Sequence, residues 1–108
     1  MSTTEPQPAH HCTTMEEVRS SIDALDERIV SLLVERTGYM TQAARIKRDV
    51  AEVYDQVRID FIVDHVRRVA QTLGGQPTVV EAAYRALMDA SIAFEQREFA
   101  RLRDGVSA

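Results

Sequence analysis

Between Val18 and Ile46 the chain carries an apolar stripe that no proline interrupts. Val18, Ile22, Leu25, Ile29, Leu32, Tyr39, Ala43 and Ile46 recur in alternating steps of four and three, and Arg36 holds the one charged place in the series. That spacing is the seam of one helix laid along another. Thr14-Met15-Glu16-Glu17 opens it, since a threonine hydroxyl can cap the backbone while Glu17 reaches back. A helix from about Glu16 to Lys47 is roughly 45 Å long at about 1.5 Å per residue. A compact domain of a hundred residues has a radius of gyration of only about 13 Å. The helix therefore overhangs its own domain, and its stripe calls for a partner. A second copy of the chain around a two-fold axis is the least demanding source.

The remaining pattern is helical too. Arg48 to Tyr54 is a short connection, after which Ile59, Ile62, Val66, Val69 and Leu73 mark a second amphipathic helix ended by Gly74-Gly75. Pro77 follows, and Thr78-Val79-Val80-Glu81 is a second capping-box pattern opening a third helix. Val80, Tyr84, Leu87, Ser91, Phe94 and Leu102 form its inward stripe, and Asp104-Gly105 closes it. The absence of Trp, the 6% aromatic share and only four Gly argue against a turn-rich β architecture. The expected fold class is all-α, with long, medium and long helices in an intertwined helical homodimer. The helical domain spans 13–104, between a flexible N-terminal tail at 1–12 and a C-terminal tail at 105–108.

Charge narrows the function classes. Thirteen Lys and Arg against seventeen Asp and Glu leave a net charge of −4, so no global field draws nucleic acid or anionic lipid. No apolar run approaches the roughly 18 residues needed to span a bilayer, and nothing near the start resembles the apolar segment of a signal peptide. A single cysteine makes no internal disulfide. The expected setting is cytoplasmic, without a membrane. His10, His11 and Cys12 are adjacent residues on a flexible segment and lack the spaced, preorganised geometry of a zinc site, so no metal is expected.

The informative residues are polar side chains where the periodicity asks for apolar ones. Arg36 sits in the seam, where an unpaired guanidinium is costly unless an anion meets it, whether a core carboxylate or a ligand. Lys47 lies eleven residues on, about three turns, which leaves it within about 20° of Arg36 on one face. Arg19 is seventeen residues before Arg36, roughly 25 Å along the axis and about 100° around it. It joins that face only from the partner chain of an antiparallel dimer; otherwise it is a solvated first-turn arginine. Asp55 and Arg58 form a helix-start pair. Ser91 and Glu95, four residues apart on helix three, share a face. Burial there favours the neutral, hydrogen-donating form of Glu95 unless a neighbouring cation, such as a seam arginine, keeps it ionised. His65 reads as a surface residue, and Tyr39 and Tyr84 as core. Several cations and a serine-carboxyl pair converging on a helical interior suit a small polycarboxylate ligand.

The stretch Val18-Arg19-x-x-Ile22-Asp23-x-Leu25-Asp26-x-x-Ile29-Val30-x-Leu32-Leu33-x-x-Arg36, continuing through Ala43-Ala44-x-Ile46-Lys47, resembles the all-α chorismate mutase family and its relatives the isochorismate-pyruvate lyases. The resemblance runs from about Cys12 to Leu102. It implies an intertwined dimer of three-helix chains. It also implies that Arg36 and Lys47 of one subunit, with Arg19 of the other, bind the substrate's two carboxylates and ether oxygen. Arg58 matches the helix-two arginine of the site and Asp55 the loop-end acid that helps position the substrate. Ser91 and Glu95 match helix-three positions, the second of which is glutamine in many members; a glutamate there must be protonated to donate to the ether oxygen.

The implied activity is that of a chorismate mutase, an isomerase of the shikimate pathway and aromatic amino-acid biosynthesis that turns chorismate into prephenate without metal or cofactor. Arg36, Lys47 and Glu95 would be its catalytic groups. Many members follow the helix-two arginine with a glutamate that contacts the substrate hydroxyl, and here Ile59 stands in that place. The lyases also lack that acid, which leaves salicylate formation from isochorismate as an alternative. A non-catalytic helical dimerisation or regulatory module is a third reading, against which Arg36, Lys47 and Glu95 stand, because a pure coiled interface favours apolar residues at those places.

Overall fold

The computed structural model describes residues 8–107, and positions 1–7 of the expected N-terminal tail, with Ala108, lie outside the described residues. The order is α1 (Met15–Ile46), a short 3-10 turn (Val50–Glu52), α2 (Gln56–Thr72) and α3 (Pro77–Ser107), with no strand among the described residues. The all-α expectation and its long, medium and long helices therefore hold. Thr14 caps α1 by accepting the Glu17 amide at 3.1 Å. Glu17 reaches back one residue further than the simplest capping box, to the backbone and hydroxyl of Thr13.

The second expected capping box does not form. Pro77 takes the first helical position, where its fixed φ suits the helix and its missing N–H costs nothing. The amides of Val79 and Val80 both donate to the Gln76 carbonyl, and Thr78 is drawn inside the helix. Glu81 instead binds Arg67 of α2 at 2.5 Å and Arg85 of its own helix at 2.7 Å. Hydrogen bonds from Arg85 first and Arg67 second hold its carboxyl below the ordinary glutamate value. At the other end α3 runs past the Asp104-Gly105 step to Ser107.

Helix α2 ends as its glycines require. Gly74 takes a φ of +76°, its amide donates to Gln71, and the Gly75 amide donates to Ala70 at 2.8 Å. This crossed pair of bonds is the Schellman closure of a helix. It turns the chain back, so α2 and α3 form an antiparallel hairpin tied by Arg67 and Glu81.

Helix α3 also packs on α1. Arg36 meets Ser91, Thr41 meets Glu98 and Ala44 meets Arg103, so residue numbers rise together and the two helices run parallel. Because α3 has neighbours on two sides, its most buried residues, Met88 and Glu95, fall between the two stripes that flank them. Glu98 is buried as well, and Arg101 grips both of its oxygens. The Arg101 hydrogen bonds hold the Glu98 carboxyl below its ordinary value, burial opposes them, and Thr41 adds to the lowering. The stabilisation from both depressed glutamates is present at neutral pH and fades as acid protonates them.

The first half of α1 has no such cover. Every residue from Ile22 to Leu32 is exposed. The molecule measures 59 × 29 × 26 Å with a radius of gyration of 17.4 Å, well beyond a compact chain of this length. Tyr39, expected in a core, is 64% exposed because it lies to one side of the face, marked by buried Ala44 and half-buried Met40, that α3 covers. The buried apolar set is small: Ala44, Val53, Val63, Ala70 and Met88.

Gly74→Ala tests the turn between α2 and α3. A Cβ at this position meets nothing within 4 Å, so the cost is that of the left-handed backbone alone, about 1–2 kcal/mol. Urea denaturation is expected to show that loss, and an unchanged midpoint would refute it.

Candidate active site

The second half of α1 contributes Arg36 and Lys47 to the region where all three helices approach one another. Arg36 sits on the seam, half-buried, and its Nη1 donates to the Ser91 hydroxyl at 3.1 Å. Its Cζ lies 5.9 Å from the centroid of the half-buried Tyr84 ring. Among the described residues no carboxylate lies within ion-pair distance of Arg36, so the core carboxylate considered as its partner is not there.

Helix α1 stops at Ile46, and Lys47, in an extended conformation, donates its amide to Ala43. Its ammonium reaches Glu95 at 2.7 Å. The cation beside Glu95 is therefore a lysine, not a seam arginine. The Glu95 side chain is 5% exposed and that of Lys47 28%.

The connection after α1 is ordered by its own acids. Asp49 accepts the Ala51 amide, while Glu52 accepts the amides of Arg48 and Asp49, which hold its carboxyl below the usual value. This tight turn buries Val53 and delivers Asp55 to the head of α2. Asp55 was expected to pair with Arg58; it does so through the Arg58 backbone amide at 3.1 Å, as the helix cap. The guanidinium is left to lie over the Phe61 ring, 5.2 Å from its centroid.

These side chains face a cavity of about 120 Å³. Its polar lining is Arg36, Asp55, Arg58, Ser91 and Glu95, and its apolar wall is Met40, Val53, Ile59, Ile62, Met88 and Ile92. Lys47 reaches the cavity's edge through Glu95. Arg19 is not brought here; it is exposed on the overhanging half of α1. His65 is a surface residue, as expected, stacked on Phe61. His10 contacts Cys12 Sγ at 3.4 Å, and no cluster of three metal-ligating side chains occurs among the described residues.

Two features of the site were not anticipated from periodicity. Met40, Val53 and Met88 complete the apolar wall through their places between stripes. Arg103 of α3 binds the backbone at the end of α1. A compositional signal stands beside them: Lys47 is the chain's one lysine against twelve arginines.

Two guanidinium groups, a hydroxyl and two carboxyl groups set around an apolar-walled cavity between helices form the kind of lining that suits a small polar ligand. The chain is a member of the chorismate mutase type II family, whose model matches residues 18–96 and so includes all seven candidate positions from Arg19 to Glu95. No curated protein matches the chain in a direct sequence comparison.

Removing the ammonium tests the pair at the cavity's edge. Lys47→Ala is expected to cost about 1–3 kcal/mol, below the ~3–5 kcal/mol of a fully buried pair, because the lysine is partly solvated. Adding Glu95→Gln is expected to restore most of it, since a neutral amide tolerates the loss of its cation. A double variant no more stable to urea than Lys47→Ala would contradict this.

Proposed function

We propose that the protein is a chorismate mutase, an isomerase that acts as a homodimer in aromatic amino-acid biosynthesis in the cytoplasm. The observation that carries this reading is the contrast among cations. Arg67, Arg68, Arg85 and Arg101 are paired with carboxylates, whereas Arg36 and Arg58 face the cavity with none. Guanidinium groups that line a cavity without a carboxylate in ion-pair contact, Arg36 half-buried and Arg58 exposed, are free to bind an anionic guest through charge-assisted hydrogen bonds.

The reaction breaks the ether C–O bond of chorismate as a new C–C bond forms, with no proton, electron or covalent intermediate exchanged with the protein. The protein's part is geometric and electrostatic, and it calls for no metal or cofactor. Arg36 and the partner copy's equivalent of Arg19 hold the two carboxylates so that the reacting ends meet, which removes orientational entropy from the step. Arg58 and Ser91 add donors on either side, and Asp55 orients the substrate from the head of α2. Lys47 and a protonated Glu95 donate to the ether oxygen as negative charge grows on it, so they bind the transition state more tightly than the substrate. In the free protein the Lys47 ammonium donates to Glu95 at 2.7 Å; when the substrate enters, both turn to the ether oxygen, Glu95 carrying a proton taken from solvent on binding.

A second copy of the chain supplies what one chain lacks. The accessible surface is 8621 Å², against about 6,100 Å² expected for a compact monomer of this mass. The excess is of the size that obligate dimers bury. Ile22, Leu25, Ile29 and Leu32, each about half exposed or more, lie on the same half of α1 as Arg19. Covering that half with the partner's packed end would bring Arg19 to the partner's cavity.

Ile59 supports a second reading. It lines the cavity, half-buried, where an acid would meet the substrate hydroxyl, and an isochorismate-pyruvate lyase needs no such acid. The deciding experiment offers purified protein chorismate and, separately, isochorismate, and follows each substrate's loss and the appearance of prephenate or salicylate. Prephenate from chorismate is the expected product. Salicylate and pyruvate from isochorismate alone would favour the lyase, and no turnover of either would sink both and leave a non-catalytic module.

The shared site has its own test. Arg19→Ala and Arg36→Ala are each expected to be nearly inactive alone. Once their subunits exchange, half the dimers are mixed and each mixed dimer has one intact site, so activity should return to about a quarter of the wild-type value per chain. No recovery despite verified exchange would place Arg19 outside the site.

A further inference from the structure

Arg103 is half-buried near the end of α3, beyond the residues 18–96 that the family model matches. Its Nη1 donates to the Ala44 carbonyl at 2.8 Å and its Nη2 to the Lys47 carbonyl at 2.5 Å. Nη1 also lies 3.3 Å from the Phe99 carbonyl, and Cζ sits 3.4 Å from the centroid of the Phe99 ring, so the guanidinium is held on its own helix as well.

The last carbonyls of a helix have no intrahelical donor, and they form the negative end of its dipole. In α1 the Lys47 amide satisfies Ala43, and the next carbonyl in line is the one Arg103 takes. The second bond goes to Lys47 itself, at the residue where the chain leaves the helix with ψ 145°. With its amide tied to Ala43, rotation about φ of Lys47 would swing the side chain and the carbonyl together, so holding the carbonyl holds the side chain's direction. Helix α3 thus holds Lys47 twice, by its carbonyl through Arg103 and by its ammonium through Glu95.

We propose that Arg103 is a positioning residue: by clamping the end of α1 it fixes the direction from which the Lys47 ammonium approaches Glu95 at the cavity's edge. The consequence for turnover rests on the chorismate mutase reading; the clamp itself does not. A displacement of about 1 Å at a group that acts in the transition state lowers rates by up to about a hundredfold. Loss of Arg103 is therefore expected to lower kcat by about tenfold to a hundredfold with KM little changed, because Lys47 is displaced and not removed.

The single lysine makes the clamp directly observable. Protein labelled with 13C at lysine Cε has one ε-methylene signal, from Lys47. In the wild type its two protons are expected to be inequivalent, as befits an ammonium held in one place. In Arg103→Ala, with helical circular dichroism retained, they are expected to merge toward one averaged signal. Arg103→Gln keeps an amide donor for one carbonyl and introduces no second lysine, so it serves if the alanine variant fails to fold and is expected to fall between the two. A wild-type signal already averaged, or an inequivalent pair unchanged in either folded variant, overturns the proposal. So does an Arg103→Ala defect confined to KM, or one of the same factor in a Lys47→Ala background, where a positioning residue has nothing left to position. The magnetic resonance arm uses no substrate, so failure to turn over chorismate defeats the functional reading while this arm still decides the role of Arg103.

Discussion

Helix α1 is longer than anything this chain can lay against it, and most of the structure follows from that mismatch. Thirty-two residues in one helix extend about 48 Å, while α3 covers only the second half and α2 touches α3 in preference to α1. Where α1 and α3 run together, Ala44, Met88 and Glu95 are buried and the cations reach across to the polar side chains of α3. Where they do not, Ile22, Leu25, Ile29 and Leu32 stand in solvent. The cavity lies in the covered half because only there do three elements meet. The uncovered half is the surface that the proposed second copy would occupy.

The charged residues divide along the same lines. Arg67 with Glu81 pins α2 to α3, and Glu98 with Arg101 and Thr41 pins α3 to α1, each with its counter-charge at hand. Arg103 needs no carboxylate because two backbone carbonyls at a helix end meet it. Arg36 and Arg58 belong to neither group. A chain of net charge −4 can still present a cationic cavity, because the acids that outnumber the bases are spent on the surface, on caps and on the pairs that brace the helices. Local placement at the cavity, not the sum of charges, sets these two guanidinium groups apart.

Much of this was legible from periodicity. The step-four, step-three series gave α1 its length, the glycine pair ended α2, and the polar interruptions at Arg36, Lys47, Ser91 and Glu95 marked residues that do meet in space. The partners among them were not legible. Burial and spacing allowed Glu95 an arginine, and the structure supplies Lys47; they allowed Arg36 a carboxylate, and the structure supplies Ser91. Those pairings depend on the parallel register of α1 and α3, which joins positions 48 and 55 residues apart and leaves no mark in any local window. The failed second capping box has a local cause, since Pro77 competes for the helix start one residue ahead of Thr78.

The sequence by itself determined three helices and their approximate ends, because these follow from the 3.6-residue repeat, capping hydroxyls and the conformational freedom of glycine. It also determined that α1 would overhang, which is arithmetic on length. The tertiary structure alone decided which cation is neutralised and which is left open, that Asp55 caps its helix instead of binding the Arg58 guanidinium, and that Arg103 closes the end of α1. Each of these depends on distances between side chains far apart in the chain, and such distances exist only once the helices have packed.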